Sequence, residues 1–497
     1  MAGLVVSPHP LATAAGQAVL ERGGNAAEAA IATGAVLAVV LPHFCGLGGD
    51  GVWMLADRDG SQTAILGIGQ APRMLPDLPA TLPLRGPGSM LTTACLVDGW
   101  DQLLQFGQTH WQGGMSFADL VAPAIEHARA GVPASASQSF WRDFRREEWP
   151  GWPGFADIFA TDHLHQPQLA EILTLLAEDG PRSFYTGRAG QRVAQGLDAA
   201  GSPLAAGDLA STSARQAAPL SLRYRDLTLL APPWPTQGMT TLQIMGILDR
   251  FDIAATTGAN RLHLLIEAVK QAFLDRGEIA DPDTTPVSDA LSSSWLDARA
   301  AAIRPEAALP WPHRYQHGDT VFFAVCDGAG RSVSALQSTY FDWGSGVVVG
   351  DTGILWQNRG AAFATDAAHP NCIAPGKRPF YTLNPGIALK DGAPHLLYGT
   401  QGADGQPQTL ARILTALIDD GMSPAEALSA PRFLLGRTFS DSRDSVKIEA
   451  SMPRDQIEAL TALGHELAEL PALSPIFGCA GVIRLGAGLT GAHDPRG

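Results

Sequence analysis

The stretch Gln316-His317-Gly318-Asp319-Thr320-Val321-Phe322-Phe323 decides how this chain reads, because a polar, turn-prone run gives way at Thr320 to an apolar strand. Upstream, residues 281–316 are rich in Pro, Ser, Ala and scattered charge and end in Pro310, Pro312, His313, Arg314 and Tyr315, which predicts a linker or exposed loop. Downstream, short β-rich runs over 321–326, 333–337, 346–349, 354–356 and 395–398 predict strands separated by Gly-containing turns. A Thr at such a junction has a particular chemistry. If the chain is cut before Thr320, that residue gains an α-amine beside its own hydroxyl, and an amine of pKa about 7.7–8.0 can take the hydroxyl proton and return it to a leaving amine. A Gly-Asp-Thr before a strand is equally ordinary turn chemistry, so these residues alone leave both readings standing.

Toward the N-terminus, Asn25 after Gly24 caps a predicted helix over 26–41 that Pro42 ends. The run Gly46-Leu47-Gly48-Gly49-Asp50-Gly51 follows, then a strand over 52–56. A phosphate loop needs a strand before it and a helix after it; the order here is reversed, which favours a tight turn. Residues 117–278 read as mainly helical, with apolar spacing of helix period over 120–130, 168–176, 190–197, 239–248 and 262–272. Helices return over 409–417, 424–429 and 453–463.

A chain of 497 residues that is 45% hydrophobic is not disordered, and at roughly 100–200 residues per domain its length alone suggests two to four units. Its 34 basic and 49 acidic residues, a net charge of −15, argue against nucleic-acid and anionic-membrane partners. The five cysteines form no Cys-x-x-Cys pair, so neither a disulfide framework nor a thiol-metal centre is expected. The start lacks a basic run and breaks at Pro8 and Pro10, and the apolar stretch 29–41 is shorter than the roughly 20 residues of a membrane span. The expectation is a cytoplasmic protein. Asp162-His163-x-His165 has metal-like spacing but no partner cluster, and no Gly-x-Ser-x-Gly or His-Glu-x-x-His occurs, so no metal and no cofactor are expected.

The ordered motifs carry more. His9-Pro10-Leu11-Ala12, Gly23-Gly24-Asn25-Ala26, Gly46-Leu47-Gly48-Gly49, Glu267-Ala268-x-Lys270-x-Ala272-Phe273-x-Asp275-Arg276, Gly318-Asp319-Thr320, Gly344-Ser345-Gly346, Gly353-Ile354-Leu355 and Lys377-Arg378-Pro379 span nearly the whole chain. In them the sequence resembles the γ-glutamyltranspeptidase family of N-terminal-nucleophile (Ntn) hydrolases. That resemblance implies an α+β fold, a four-layer αββα sandwich with one intertwined core. It also implies self-cleavage between Asp319 and Thr320 into a large subunit, residues 1–319, and a small one, residues 320–497. Thr320 would then be the nucleophile, Ser338 its assisting hydroxyl, and the backbone amides of Gly402 and Ala403 the oxyanion hole.

The departures from the family pattern bear on substrate. Where a transpeptidase carries an Arg for the glutamyl α-carboxylate, this chain has Gly67-Ile68-Gly69-Gln70; where it carries an acid for the α-amine, this chain has Ala361 after Asn358-Arg359-Gly360. The family's paired serines align with Tyr381-Thr382. A site without both charged partners would desolvate an amino-acid zwitterion uncompensated. The variant set is similar instead to family members that hydrolyse oxamate, a small amide beside a carboxylate, in purine-nitrogen catabolism. Arg359 is the candidate cation, because a guanidinium meets a carboxylate with two parallel hydrogen bonds; Lys377 and Arg378 are alternatives, and Asn358, Tyr381 and Thr382 are candidate lining residues. Buried Ser, Thr and Asn commonly serve backbone groups instead. The expected partner is a small carboxylated amide. Asp50 is a candidate for orienting a backbone group near the nucleophile, His43 reads as structural, and Trp343 and Trp356 as core or pocket wall. Two other readings stay open: a γ-glutamyl hydrolase or transpeptidase acting on glutathione-like substrates, and an uncleaved, inactive binding or scaffold relative. Whether two processed units associate is open too.

Overall fold

Alternation along one strand explains the architecture. In the strand Asp319–Cys326, Val321, Phe323 and Val325 enter one apolar core, while Phe322, Ala324 and Cys326 enter another. A strand presents successive side chains to opposite faces, so a run apolar throughout must be covered on both. The computed structural model describes residues 3–311, 318–438 and 443–497. Asp319–Cys326 lies inside a six-stranded sheet, antiparallel to Leu4–Val6 on one side and to Ser332–Tyr340 on the other, followed by Asp50–Ala56, Gln62–Gly67 and Arg215–Ala217. A second six-stranded antiparallel sheet runs in the order Leu489–His493, Ala480–Leu485, Ala393–Thr400, Gly386–Lys390, Leu227–Ala231 and Leu220–Tyr224.

The sheets meet through Val52, Met54, Leu66, Phe322 and Leu336 on one side and Leu230, Ile387, Leu397 and Ile483 on the other. Helices cover both outer faces. The helix Ala26–Val40 is buried along its whole length, which is why its sequence shows little polar stripe. Its N-terminus is closed by a capping box: Asn25 Oδ1 accepts from the amides of Ala27 and Glu28, and Glu28 Oε2 accepts from the Asn25 amide at 2.8 Å. Gly238–Leu248, Gly258–Phe273 and Gln406–Ile418 cover the second sheet. The molecule is therefore a four-layer αββα sandwich, in which apolar layers lie between the sheets and between each sheet and its helices. Both sheets draw strands from either side of the Asp319–Thr320 bond.

Three local expectations change. The expected linker over 281–316 contains a helix, Ser293–Ala301, capped by Ser292, while residues 312–317 lie outside the described residues. The stretch 117–278, read as mainly helical, also holds Arg215–Ala217, Leu220–Tyr224 and Leu227–Ala231, the last two completing one edge of the second sheet. The runs 346–349 and 354–356 are not strands; isolated bridges, Val348 with Leu355 and Gly48 with Trp356, hold them as a looped segment. That segment explains the glycine turn: a Cβ on Gly48 would stand 2.3 Å from the Leu355 carbonyl oxygen, and one on Gly49 2.4 Å from that of Ser338. Among the described residues, no helix is long and apolar enough to cross a membrane.

Candidate active site

Thr320 is buried at the second position of its strand, opposite an irregularity in the neighbouring one. Val321 faces Gln337 and Asp319 faces Tyr340, so Ser338 and Thr339 together face Thr320, a β-bulge. The bulge turns the Ser338 hydroxyl onto the bond preceding Thr320: Ser338 Oγ donates to the Asp319 carbonyl at 2.7 Å and accepts from the Tyr340 amide at 2.8 Å. Thr320 Oγ1 accepts from Gln406 Nε2 at 3.3 Å, and the Thr320 amide donates to Asp319 Oδ1 at 3.0 Å. Burial pushes the Asp319 carboxyl well above the usual carboxylate range, with nearby Asp342 adding to the effect and the Thr320 amide opposing it.

The turn after the strand Ala393–Thr400 comes to the same place. Gly402 has φ 113° and Ala403 φ 43°, and the short turn Ala403–Gly405 runs into the helix Gln406–Ile418, whose positive end therefore faces this region. A Cβ on Gly318 would lie 3.1 Å from the Ala403 Cβ and 3.2 Å from the Tyr340 carbonyl oxygen, which places the turn beside the chain entering Thr320. A left-handed Ala costs of order 1 kcal/mol and persists only where its surroundings enforce it. Here Gln237 Nε2 donates to the Ala403 carbonyl at 2.8 Å, and Arg276 pairs with Asp404.

Arg359 is fully buried at the start of the short turn Arg359–Ala362. Its guanidinium lies between the rings of Tyr340 and Tyr381, at 3.9 and 4.4 Å from their centroids, and Nη1 donates to Thr382 Oγ1 at 3.4 Å. Nε and Nη2 have no hydrogen-bond partner among the described residues. Burial pulls its pKa below the usual arginine value, with Tyr381, Tyr340 and Asp50 opposing. A buried cation with two donors unpaired is costly unless an anion completes it. Asp50 does not supply that anion by direct contact. Its Oδ1 accepts from the amides of Gly69 and Cys95, and its Oδ2 from the Tyr381 hydroxyl at 2.7 Å. Burial raises the Asp50 pKa to about 6 despite these bonds.

The other candidates fall elsewhere. Asn358 is spent on backbone, Nδ2 donating to the Leu84 carbonyl at 2.7 Å and Oδ1 accepting from the Phe341 amide at 3.2 Å, so it shapes the loop. Lys377 Nζ donates to the Pro370 carbonyl at 2.6 Å, and Arg378 lies 3.7 Å from Asp283. Arg378 lines a cleft of about 340 Å³ with Ile68, Arg215 and Trp234; its described walls include none of Thr320, Ser338, Arg359 or Thr382. Asp50 does hold backbone groups, the amides of Gly69 and Cys95, and it also orients Tyr381. Burial lowers the His43 pKa to about 3, and its Nε2 meets Ser137 Oγ at 3.2 Å. Trp343 packs on Phe155 and Phe159, and Trp356 donates to the Thr92 carbonyl; both are core. Asp162 pairs with Arg142. His263, Glu267 and His465 cluster under the second helical layer, where the two imidazoles bond each other at 2.8 Å and Lys270 donates to Glu267 at 2.7 Å. The sequence alone assigns no role to Gln237 or Gln406, both of which contact the site.

Residues 12–497 match the family model described as Gamma-glutamyltranspeptidase. The chain is 41% identical to the oxamate amidohydrolase proenzyme of Klebsiella pneumoniae, over 99% of this chain and 97% of that one. It is 37% identical to the glutathione hydrolase-like YwrD proenzyme of Bacillus subtilis, again over 99% and 97%. Among solved structures it is similar to the cephalosporin acylase from Bacillus halodurans, with TM-score 0.90 and 30% identity over 100% of this chain and 94% of that one.

Proposed function

Since the chain belongs to the gamma-glutamyltranspeptidase family and is an enzyme acting on amides, we propose that it is a self-processing amidohydrolase whose substrate is oxamate. The observation that carries this reading is Arg359, a buried guanidinium with two unpaired donors beside Thr382. It offers one carboxylate a two-pronged seat. An amino-acid zwitterion would also need an acid for its amine, and the nearby Asp50 is engaged by three donors while Ile68 lies in the apolar layer between the sheets.

Processing comes first. Thr320 Oγ attacks the Asp319 carbonyl carbon, the Ser338 hydroxyl supports the charge developing on its oxygen, and the chain shifts from nitrogen to Oγ as an ester. Water hydrolyses that ester, leaving a carboxylate on Asp319 and a free α-amine on Thr320. The products are a large subunit, 1–319, and a small one, 320–497, which the shared sheets keep together. In turnover the α-amine takes the Thr320 hydroxyl proton as Oγ attacks the amide carbon. The oxyanion sits on the Gly402–Ala403 turn, the substrate carboxylate on Arg359, and ammonia leaves with the returned proton. Water then releases oxalate and regenerates Thr320. A place in cytoplasmic purine-nitrogen breakdown follows from this substrate.

A second reading, hydrolysis of γ-glutamyl amides, is favoured by the name of the relative at 37% identity. Ammonia release from oxamate compared with anilide release from a γ-glutamyl anilide separates the two; activity on the anilide alone overturns the oxamate reading. A denaturing gel of the purified protein addresses the inactive-relative reading: two bands, the smaller beginning at Thr320, are expected, and one full-length band would favour a scaffold role.

A further inference from the structure

Gln237 takes no part in the chemistry above, yet its side-chain nitrogen bridges the two ends of the site. It is fully buried in the turn before Gly238–Leu248. Its Nε2 donates to the Thr382 carbonyl at 2.6 Å and to the Ala403 carbonyl at 2.8 Å. Its Oε1 accepts from Arg276 Nε at 3.3 Å and Nη2 at 3.0 Å, and Arg276 also pairs with Asp404, the residue after Ala403. One amide nitrogen thus ties the residue whose hydroxyl meets Arg359 to the residue of the left-handed turn, with their carbonyls two hydrogen-bond lengths apart at most. Arg276 fixes the amide from behind by donating to its oxygen, so neither end can drift independently.

We propose that Gln237 is a positioning residue that sets the acyl length this site accepts, an inference that rests on Arg359 as the carboxylate seat and the Gly402–Ala403 turn as the oxyanion seat. In a two-carbon amide acid the carboxylate carbon is bonded directly to the amide carbon, so the two seats must be close. Each methylene inserted between them adds a C–C bond of about 1.5 Å. Misplacement of a reacting centre by about 1 Å costs of order 10²-fold in rate. The wild-type enzyme therefore selects oxamate over malonamate and succinamate, its homologues longer by one and two methylenes.

The test uses processed wild-type enzyme and Gln237→Met, which has similar volume but neither donates to the two carbonyls nor accepts from Arg276. Ammonia release gives kcat and KM for the three substrates, alongside the thermal midpoint and the cleaved fraction. Wild type is expected to favour oxamate over malonamate by about 10²-fold in kcat/KM, and Gln237→Met to lose about 10²-fold on oxamate, mainly in kcat, and under tenfold on malonamate. Equal loss on both substrates, or no loss, overturns the role of Gln237 while leaving the substrate reading intact. Wild-type enzyme that releases ammonia from none of the three overturns both. If Gln237→Met yields no folded protein, Gln237→Glu carries the same comparison, since it keeps acceptors for Arg276 and turns an oxygen on the two carbonyls.

Discussion

The two ends of the site are built differently. At the Thr320 end, the groups around the Asp319–Thr320 bond are held by the chain itself: Ser338 holds the Asp319 carbonyl, Tyr340 holds Ser338, and Gln406 holds the Thr320 hydroxyl. These contacts come largely from two adjacent strands, and they describe a site already loaded with a substrate, its own peptide bond. At the Arg359 end, a cation sits between two aromatic rings with donors left over. One end is closed on the protein's own peptide bond, while the other keeps donors that the described residues leave unmet.

That contrast can be broken from either side. The largest effect is expected from Thr320→Ala, which removes the attacking hydroxyl: the protein should run as a single full-length band and release no ammonia, and any cleavage at this bond in the variant would refute self-processing. Ser338→Ala removes the hydroxyl on the Asp319 carbonyl and should slow processing by about 10²–10³-fold in a time course of band appearance, the range for losing one oxyanion donor. Unchanged processing would mean that this hydrogen bond only shapes the bulge. Arg359→Ala should leave processing intact and lower kcat/KM for oxamate by about 10²-fold, corresponding to a charge-assisted contact of roughly 1.5–3 kcal/mol. Arg359→Lys should not restore it, because an ammonium cannot occupy the slot between Tyr340 and Tyr381 with the same planar fork. If oxamate turnover survives Arg359→Ala, the distinction between the two ends fails.

The smallest effect concerns Asp50, which touches the cation end through Tyr381. Its pKa of about 6 in the folded protein exceeds the usual carboxylate value of about 3.9, so the folded state binds this proton more tightly than the unfolded chain does. Folding is accordingly favoured as pH falls from 7 toward 4, by up to about 3 kcal/mol from this group. Asp50→Asn abolishes that contribution, and the variant's thermal midpoint should rise less than the wild type's over the same pH interval. Parallel pH profiles would show that Asp50 does not titrate in this range.

Legibility in the sequence followed the range of the interactions. The helix Ala26–Val40 was readable because its cap, its alanines and Pro42 are local signals, and so was the strand that begins at Asp319. The family motifs led to the αββα sandwich and to the residues around Thr320. The strands Leu220–Tyr224 and Leu227–Ala231 were hidden among helices because the hairpin they form joins a sheet only through the distant pairing of Leu227–Ala231 with Gly386–Lys390. Asn358 illustrates the limit for polar residues: its neighbourhood in sequence suggests a pocket, while its two amide ends meet Leu84 and Phe341. Gln237 reaches Ala403 across 166 positions, and no periodicity or spacing rule covers that distance.

The interleaving of strands from either side of residue 320 dictates an order of operations. Neither fragment holds either six-stranded sheet complete, so each made separately would expose unpaired strand edges of the kind that drive aggregation. If the backbone is opened before Thr320 as proposed, the chain would first have to reach its native topology as one continuous polypeptide. Under the proposed processing, maturation would be a folding checkpoint: a chain that misassembles would not align Ser338 with the Asp319 carbonyl and would not acquire a working N-terminus.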